Sequence, residues 1–439
     1  MITGEPKIKV ALLQNSRRAA VRLNGDYRLA DGRAVSGRHF IQGDRGAVLI
    51  SNDARRELIR NGEIRLEAAM NSSFSLSDVK IGIDFHWERT QALTFAGDII
   101  LLAGGGSTFH LINEIPLEDY LASVISSEMS ARAPLEFLKA QAVTARSWLV
   151  AMLEKKKEPR TKRSAGAENE RILWQDVNDH VGFDVCADDH CQRYQGTTRI
   201  VSPNVRRAIN DTRGRFLCFG GRICDARYHK CCGGQTEIYS TAWEDQNNDY
   251  LSNISDDANF HLPVRSENDA RRWLTGRPKA YCNTTDKKLL STILPDFDLE
   301  TADFYRWRVA YRQEELEDII RKKSGLDFGE VKALVPLERG PSGRIFKLKI
   351  EGSKRTVIVG KELEIRRWLS PSHLLSSAFV VDEERQANGK ISRFTLQGGG
   401  WGHGVGLCQI GAAVMAVQGF TAEEILAHYF TGAELQKLY

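Results

Sequence analysis

Residues 113–154 read NEIPLEDYLASVISSEMSARAPLEFLKAQAVTARSWLVAMLE and carry two consecutive helix signals with one acidic residue, Glu128, at the seam. Pro116 suits a first helical position, where its missing N–H would have no intrahelical partner. Glu118 and Asp119 follow in the first turn, where the helix dipole favours negative charge. Leu117, Tyr120, Leu121, Val124 and Ile125 recur at helical spacing. Pro134 restarts the pattern and drives Ala133 out of the helical region. From there Leu135, Leu138, Ala142, Ala145, Leu149 and Met152 form one apolar stripe, rich in alanine for close packing. Glu128 therefore falls at or just past the end of the first helix. A carboxyl there faces the negative end of the dipole, which favours its protonated form and suits a general acid. An ordinary exposed glutamate fits the same spacing.

The chain has 439 residues, enough for two or three domains at roughly 150 residues each. Hydrophobic residues at 42% and charged residues at 27% describe a soluble globular composition. With 61 basic and 57 acidic residues the net charge is +4, too balanced to argue for a nucleic-acid partner. No apolar run approaches the ~18 residues of a membrane span. The N-terminal MITGEPKIKVALLQN lacks the apolar core of a signal peptide, so the protein is either cytoplasmic or has lost a leader. Eight cysteines are too few for a disulfide scaffold at this length, and their clustering carries more than their number.

The expected fold is α+β: a β-rich N-terminal domain over residues 1–112, then a mixed α/β core over 113–250 and 391–439, carrying an inserted lobe at 251–390. Residues 64–68 and 79–85 alternate apolar and polar, and Asn24-Gly25 signals a hairpin turn. Residues 155–171, KKKEPRTKRSAGAENER, are charged and poor in apolar side chains, as in a solvated insertion. In the lobe, helices are predicted over 268–275, 313–323 and 362–369, the second stopped by Gly325, with strands over 331–335, 344–350 and 356–359. Arg366 and Arg367 can reach an anionic ligand. The final element is a strand over 391–396 running into GGGWGHGVGLCQIGAAVMAVQG, a glycine-rich turn that bears His403 and opens a helix. It lacks the GK[ST] of a phosphate loop.

Two polar clusters stand out. His180, Cys186, His190 and Cys191 are spaced H-x5-C-x3-H-C, and two imidazoles with two thiolates suit tetrahedral Zn²⁺. Asp184, Asp188 and Asp189 add negative charge that would favour a cation. A Cys186–Cys191 disulfide with incidental histidines fits the same spacing. Farther on, Tyr228-His-Lys-Cys-Cys-Gly-Gly presents Tyr228, His229 and Lys230 before a glycine turn, placed to orient a sugar or assist proton transfer. Cys231 and Cys232 suit a redox or metal role or a plain buried position.

Taken together, these motifs resemble the stage II sporulation protein D family, which includes amidase-enhancer proteins of bacterial cell-wall turnover. The matching residues are Ile115-Pro-Leu-Glu-Asp-Tyr-Leu, Ser127-Glu-Met, Leu138-Lys-Ala-Gln-Ala-Val-Thr-Ala-Arg-Ser, Asp184, Cys191-Gln-Arg-Tyr-Gln-Gly, His229 with Gly233-Gly234, and Gly400-Trp-Gly-His-Gly-Val-Gly-Leu-Cys-Gln-Ile-Gly-Ala. They fall densely in 113–250 and 391–439, loosely in 251–390 and hardly at all before. Two departures are plain: Ser130 stands where the family usually has proline, and Lys230-Cys231-Cys232 replaces a Ser/Thr-rich segment.

The resemblance implies action on peptidoglycan glycan strands outside the cytoplasm, by a lytic transglycosylase whose catalytic glutamate maps onto Glu128. It also supports a structural zinc on His180, Cys186, His190 and Cys191. Lys139, Arg146, Tyr228, His229, Lys230 and His403 are the expected glycan-positioning residues. Two other classes stay open: a glycan-binding enhancer of a separate cell-wall amidase, and a zinc-stapled interaction module in which Glu128 has no chemical role.

Overall fold

The computed structural model describes residues 4–439 apart from 55, 84, 86, 157–168, 175–179, 258, 260 and 302. Most of the charged insertion expected over 155–171 lies outside the described residues. The architecture is mixed α+β with a β-rich N-terminal region.

Ten strands between Lys7 and Pro116, joined by Val185–Cys186, build an eleven-stranded sheet. Alternation sets its faces: in Glu63–Ala68, Ile64 and Leu66 point to the core while their neighbours are more exposed. Strand Lys7–Ser16 pairs antiparallel with Phe109–Pro116 on one side and parallel with Val185–Cys186 on the other. The last pairing brings the expected metal loop onto the edge of the N-terminal sheet. Strand Phe109–Pro116 crosses position 112 and runs straight into helix Leu117–Glu128. One apolar core runs continuously from Ile8 through that helix to Phe430.

Asn24-Gly25 is not a hairpin turn. Strand Arg18–Leu29 continues through it, with Gly25 at φ +92° and a register shift between Leu23 and Tyr27. The bulge lets one strand exchange neighbours, from Ser73–Ile81 for residues 21–24 to Glu63–Ala68 for residues 27–29. A glycine signal marks positive φ, which a bulge needs as much as a turn does.

Helix Leu117–Glu128 begins after Pro116, and helix Leu135–Lys155 after Pro134. Both are largely buried, because they pack on each other and on the N-terminal sheet, helix Pro203–Asp211, strand Arg215–Phe219 and the C-terminal helices Gln409–Val417 and Ala422–Tyr429. In the lobe, helix Gln313–Ser324 ends at Gly325 in the left-handed region, at φ +72°. Residues from Trp307 to Leu396 build a separate core, whereas Cys282, Ile293, Phe297 and Phe304 of the expected lobe pack into the main one; strand Ile391–Gly399 pairs with Arg306–Arg312 and Phe379–Arg385. That strand delivers the chain back to the glycine-rich turn. No helix among the described residues is long and apolar enough to cross a membrane.

Candidate active site

Helix Leu117–Glu128 ends on Glu128 at the wall of a cleft of about 880 Å³. Its side chain is largely enclosed yet lines the cleft, together with Tyr228, His229, Lys230 and His403. Oε1 accepts hydrogen bonds from the Tyr228 hydroxyl at 3.0 Å and the Arg193 backbone N–H at 2.9 Å. Among the described residues, Oε2 accepts no hydrogen bond and Glu128 makes no ion pair. When the carboxyl is protonated, its proton therefore sits on Oε2.

The loop 191–196 is hung from the helix end. Besides the Arg193 contact, the Gln195 N–H donates to Ser127 Oγ at 3.2 Å. The Arg193 guanidinium lies between Asp189 at 2.6 Å and Asp298 at 3.1 Å and stacks over Trp87, 4.2 Å from its centroid. Burial works against the charge of Arg193, but Asp189, Asp298 and Glu128 hold its pKa above the ordinary value. Burial pushes the Asp189 carboxyl up to about 7, against the pull of Arg193.

Lys230 is also spoken for. Its ammonium donates to the Glu128 carbonyl at 2.6 Å and pairs with Asp298 at 2.8 Å. It caps the helix end, where an orphan carbonyl and the dipole both favour a cation. Lys230 lines the cleft, and its ammonium steadies the backbone of Glu128. Burial lowers its pKa, with Asp298 opposing.

The second wall joins two distant segments. Tyr228–His229 pairs parallel with Leu407–Cys408, which sets His229 opposite Cys408. The turn between the strand Ile391–Gly399 and this pair needs its glycines. Gly404 has φ +83° and a Cβ there would meet the Arg344 guanidinium at 2.4 Å; at Gly406, φ +73°, it would meet the Arg227 carbonyl at 2.1 Å. His229 and His403 rings lie 5.7 Å apart, edge to face, with Trp243 4.8 Å from His403. The Val405 N–H donates to His403 Nδ1 at 3.1 Å, so Nε2 carries that ring's proton. Burial, then the charges of His229 and Arg227, hold the His403 pKa well below its ordinary value. His229 Nδ1 lies 3.1 Å from the Val405 carbonyl and donates to it, and its Nε2 is buried with no hydrogen-bond partner among the described residues. Trp148, Trp174, Trp243 and Trp401 also line the cleft. Their flat apolar faces beside polar groups suit a sugar, whose rings carry both kinds of surface. Arg227 sits 4.0 Å over Trp243, and Arg366 and Arg367 line the far side.

Two expected glycan ligands are elsewhere. Arg146 is fully buried, with Nη2 2.6 Å from Glu118 Oε2 and Nη1 donating to the Arg215 carbonyl. Lys139 pairs with Glu136 at 2.9 Å and Asp211 at 3.1 Å and does not line the cleft. Helical periodicity placed both on the second helix but could not tell its cleft face from its core face.

The donor atoms of His180, Cys186, His190 and Cys191 all lie within 4.8 Å of one another and can hold a metal ion. His180 Nε2 is 3.2 Å and His190 Nδ1 3.5 Å from Cys191 Sγ, and His190 Nδ1 is 3.8 Å from Cys186 Sγ. These separations match the edges of a tetrahedron with arms of about 2.0–2.3 Å. Both cysteines are free thiols. Hydrogen bonding from Cys191 and the two histidines, against burial, makes Cys186 the more acidic of the pair. Of the neighbouring aspartates, only Asp189 pairs its carboxylate with a cation among the described residues. Asp184 accepts from the Lys9 N–H, Asp188 from the Gly82 and Ile83 N–H groups, and Asp189 pairs with Arg193.

Arg193, Asp298, Trp243 and Arg227 were absent from the residues expected at the site. Arg193 lies inside the 191–196 motif, but its contact with Glu128 comes from backbone geometry; Asp298 lies more than a hundred residues farther along the chain and carries no local signal.

Residues 105–219 match the family model described as Stage II sporulation protein, and residues 237–406 match Domain of unknown function (DUF8618). The chain is 24% identical over 329 residues to Stage II sporulation protein D of Bacillus amyloliquefaciens, spanning 75% of this chain and 76% of that protein. It is 25% identical over 335 residues to the Amidase enhancer of Bacillus subtilis (strain 168), spanning 72% of this chain and 40% of that one. An uncharacterized protein of Brachyspira hyodysenteriae is 26% identical over 329 residues, 75% of this chain and 68% of its own.

Proposed function

We propose that this chain, which belongs to the stage II sporulation protein D and amidase-enhancer family, has a cell-wall role and cleaves peptidoglycan glycan strands as a lytic transglycosylase. One observation carries the reading: Glu128 stands at the cleft wall with Oε1 fixed by two donors and Oε2 unengaged by the protein.

Protonated on Oε2, Glu128 donates to the glycosidic oxygen between MurNAc and GlcNAc, and the C1–O bond breaks. The resulting carboxylate takes the proton of the C6 hydroxyl on the same MurNAc, whose oxygen closes on C1. The products are a 1,6-anhydro-MurNAc end and a free GlcNAc hydroxyl. Water is not consumed, so one carboxyl serves both steps, where hydrolysis by glycosidases generally takes two. Tyr228 orients the carboxyl, and His403 offers an Nε2–H to the sugar. Arg366, paired with Glu362 and donating to the Leu374 carbonyl, and Arg367, paired with Glu364 and donating to the Lys323 carbonyl, line the cleft as parts of the protein's own network.

His180, Cys186, His190 and Cys191 would hold Zn²⁺, with four protein ligands and a structural role. The loop they fix carries Arg193 and so reaches Glu128 directly. An extracytoplasmic setting and a cell-wall amidase partner follow from the same family reading.

The test is digestion of purified glycan, denuded and peptide-bearing, by wild type and Glu128→Gln, with mass spectrometry of the ends. Anhydro ends from wild type alone support the enzyme. The name of the Bacillus subtilis relative favours a second reading, in which the cleft only binds glycan and stimulates an amidase. No anhydro ends, with a separate amidase accelerated equally by both proteins, would select it.

A further inference from the structure

Beneath the cleft wall lies a second convergence of metal-binding groups, outside the site described above. The thiols of Cys232, Cys282 and Cys408 and a carboxylate oxygen of Asp256 all lie within 4.8 Å of one another. All four residues are buried, with Asp256, Cys282 and Cys408 at 0% exposure. Cys232 and Cys282 sulfurs are 3.6 Å apart. A tetrahedral zinc with arms of about 2.3 Å to sulfur spaces its ligand sulfurs about 3.8 Å apart.

We propose that Cys232, Cys282, Cys408 and Asp256 form a second, structural Zn²⁺ site that staples together the segments building the cleft. Three features of the surroundings fit thiolates and a cation. The Cys232 N–H donates to Cys408 Sγ, and the Gly234 N–H to Cys232 Sγ, each at 3.3 Å. Backbone N–H groups aimed at sulfur stabilise the thiolate form and orient it, as outer-shell partners of metal ligands do. Cys408 stands at the N-cap position of helix Gln409–Val417, where the positive end of the dipole favours an anion.

Asp256 supplies the third feature. It accepts from the Tyr429 hydroxyl and the Cys282 N–H, yet makes no ion pair among the described residues. A metal ion held by the three sulfurs would supply the positive charge that an ionised Asp256 has nowhere else among the described residues. A disulfide between Cys232 and Cys282 would leave Cys408 and Asp256 without that charge. The compact ligand set fits one ion, whereas an iron–sulfur cluster spreads its cysteines around several atoms. Cys231 lies beside Cys282 and Cys408 but outside the four-ligand set.

The site joins the segment after strand Tyr228–His229, two loops of the lobe and the strand leaving the glycine-rich turn. It would fix His229 and His403 from below, where the family's Ser/Thr-rich segment is replaced by Lys230-Cys231-Cys232.

The test is metal analysis of the full chain purified without chelator. Cys186→Ser/Cys191→Ser, which disables the loop site, is expected to keep about one zinc per chain. X-ray absorption at its zinc edge should show a shell dominated by sulfur at about 2.3 Å. Cys282→Ser/Cys408→Ser should lose one zinc relative to wild type, while Cys231→Ser loses none. A folded Cys186→Ser/Cys191→Ser protein without zinc would overturn the proposal, as would a disulfide among the three cysteines in thiol mass mapping or the visible absorption of an iron–sulfur cluster. Should the Cys282→Ser/Cys408→Ser chain not fold, the loop-site variant and its absorption spectrum still decide.

Discussion

The two ends of helix Leu117–Glu128 each carry a glutamate, and the two are treated in opposite ways. Glu118 is saturated: Arg146 meets both its oxygens, and Tyr439 and the Gly214 N–H add hydrogen bonds to Oε1. Glu128 keeps one oxygen clear of the protein and faces the cleft. The charges near it, Arg193, Lys230 and Asp298, pair with one another and grip its backbone or its loop. One end is built to hold; the other is held with its carboxyl open to the cleft. A salt bridge straight to Glu128 would fix it in its charged form and remove the donor.

This contrast is broken most severely at the acting end. Glu128→Gln should lower glycan cleavage by about 10²–10⁴-fold with the urea midpoint unchanged, since only proton transfer is lost. A comparable fall in stability would make Glu128 another anchor. At the holding end, Arg146→Met should cost about 3–5 kcal/mol in urea denaturation, because it leaves Glu118 charged and unpaired in the core. Cleavage per folded molecule should survive.

Asp298 tests the indirect grip. Burial raises its pKa, but Lys230 and Arg193 together bring it below the ordinary carboxylate value. A depressed folded-state pKa contributes stability above the unfolded value and loses it as pH falls through the folded one. Asp298→Asn should therefore flatten the acid limb of a stability–pH curve and cost about 3 kcal/mol near neutrality. Tyr228→Phe removes one hydrogen bond to Glu128 and should slow cleavage about tenfold, in line with about 1.5 kcal/mol for a bond to a charged group. Arg206→Ala, which breaks an exposed pair with Asp119 in the helix's first turn, should shift stability by less than about 1 kcal/mol.

Local chemistry was legible in the sequence and distant pairing was not. Pro116, Pro134 and Gly325 mark helix limits because each acts on its own backbone. The loop histidines and cysteines lie within a dozen residues, so spacing alone brings them together. Asn24-Gly25 misleads because a bulge and a turn ask the same of glycine. Arg146 and Lys139 were assigned to the cleft from their helix alone, and only the packed structure shows which face each takes. The cysteines at 232, 282 and 408 have no common spacing; strand pairing at His229 and Cys408 and the return of the lobe collect them.

The central claim is that one carboxyl both gives and recovers a proton without water entering the product. Digestion of glycan in heavy-oxygen water measures this most directly. The account predicts anhydro ends without label from wild type and none from a folded Glu128→Gln; labelled reducing ends, or equal cleavage by the two proteins, would contradict it.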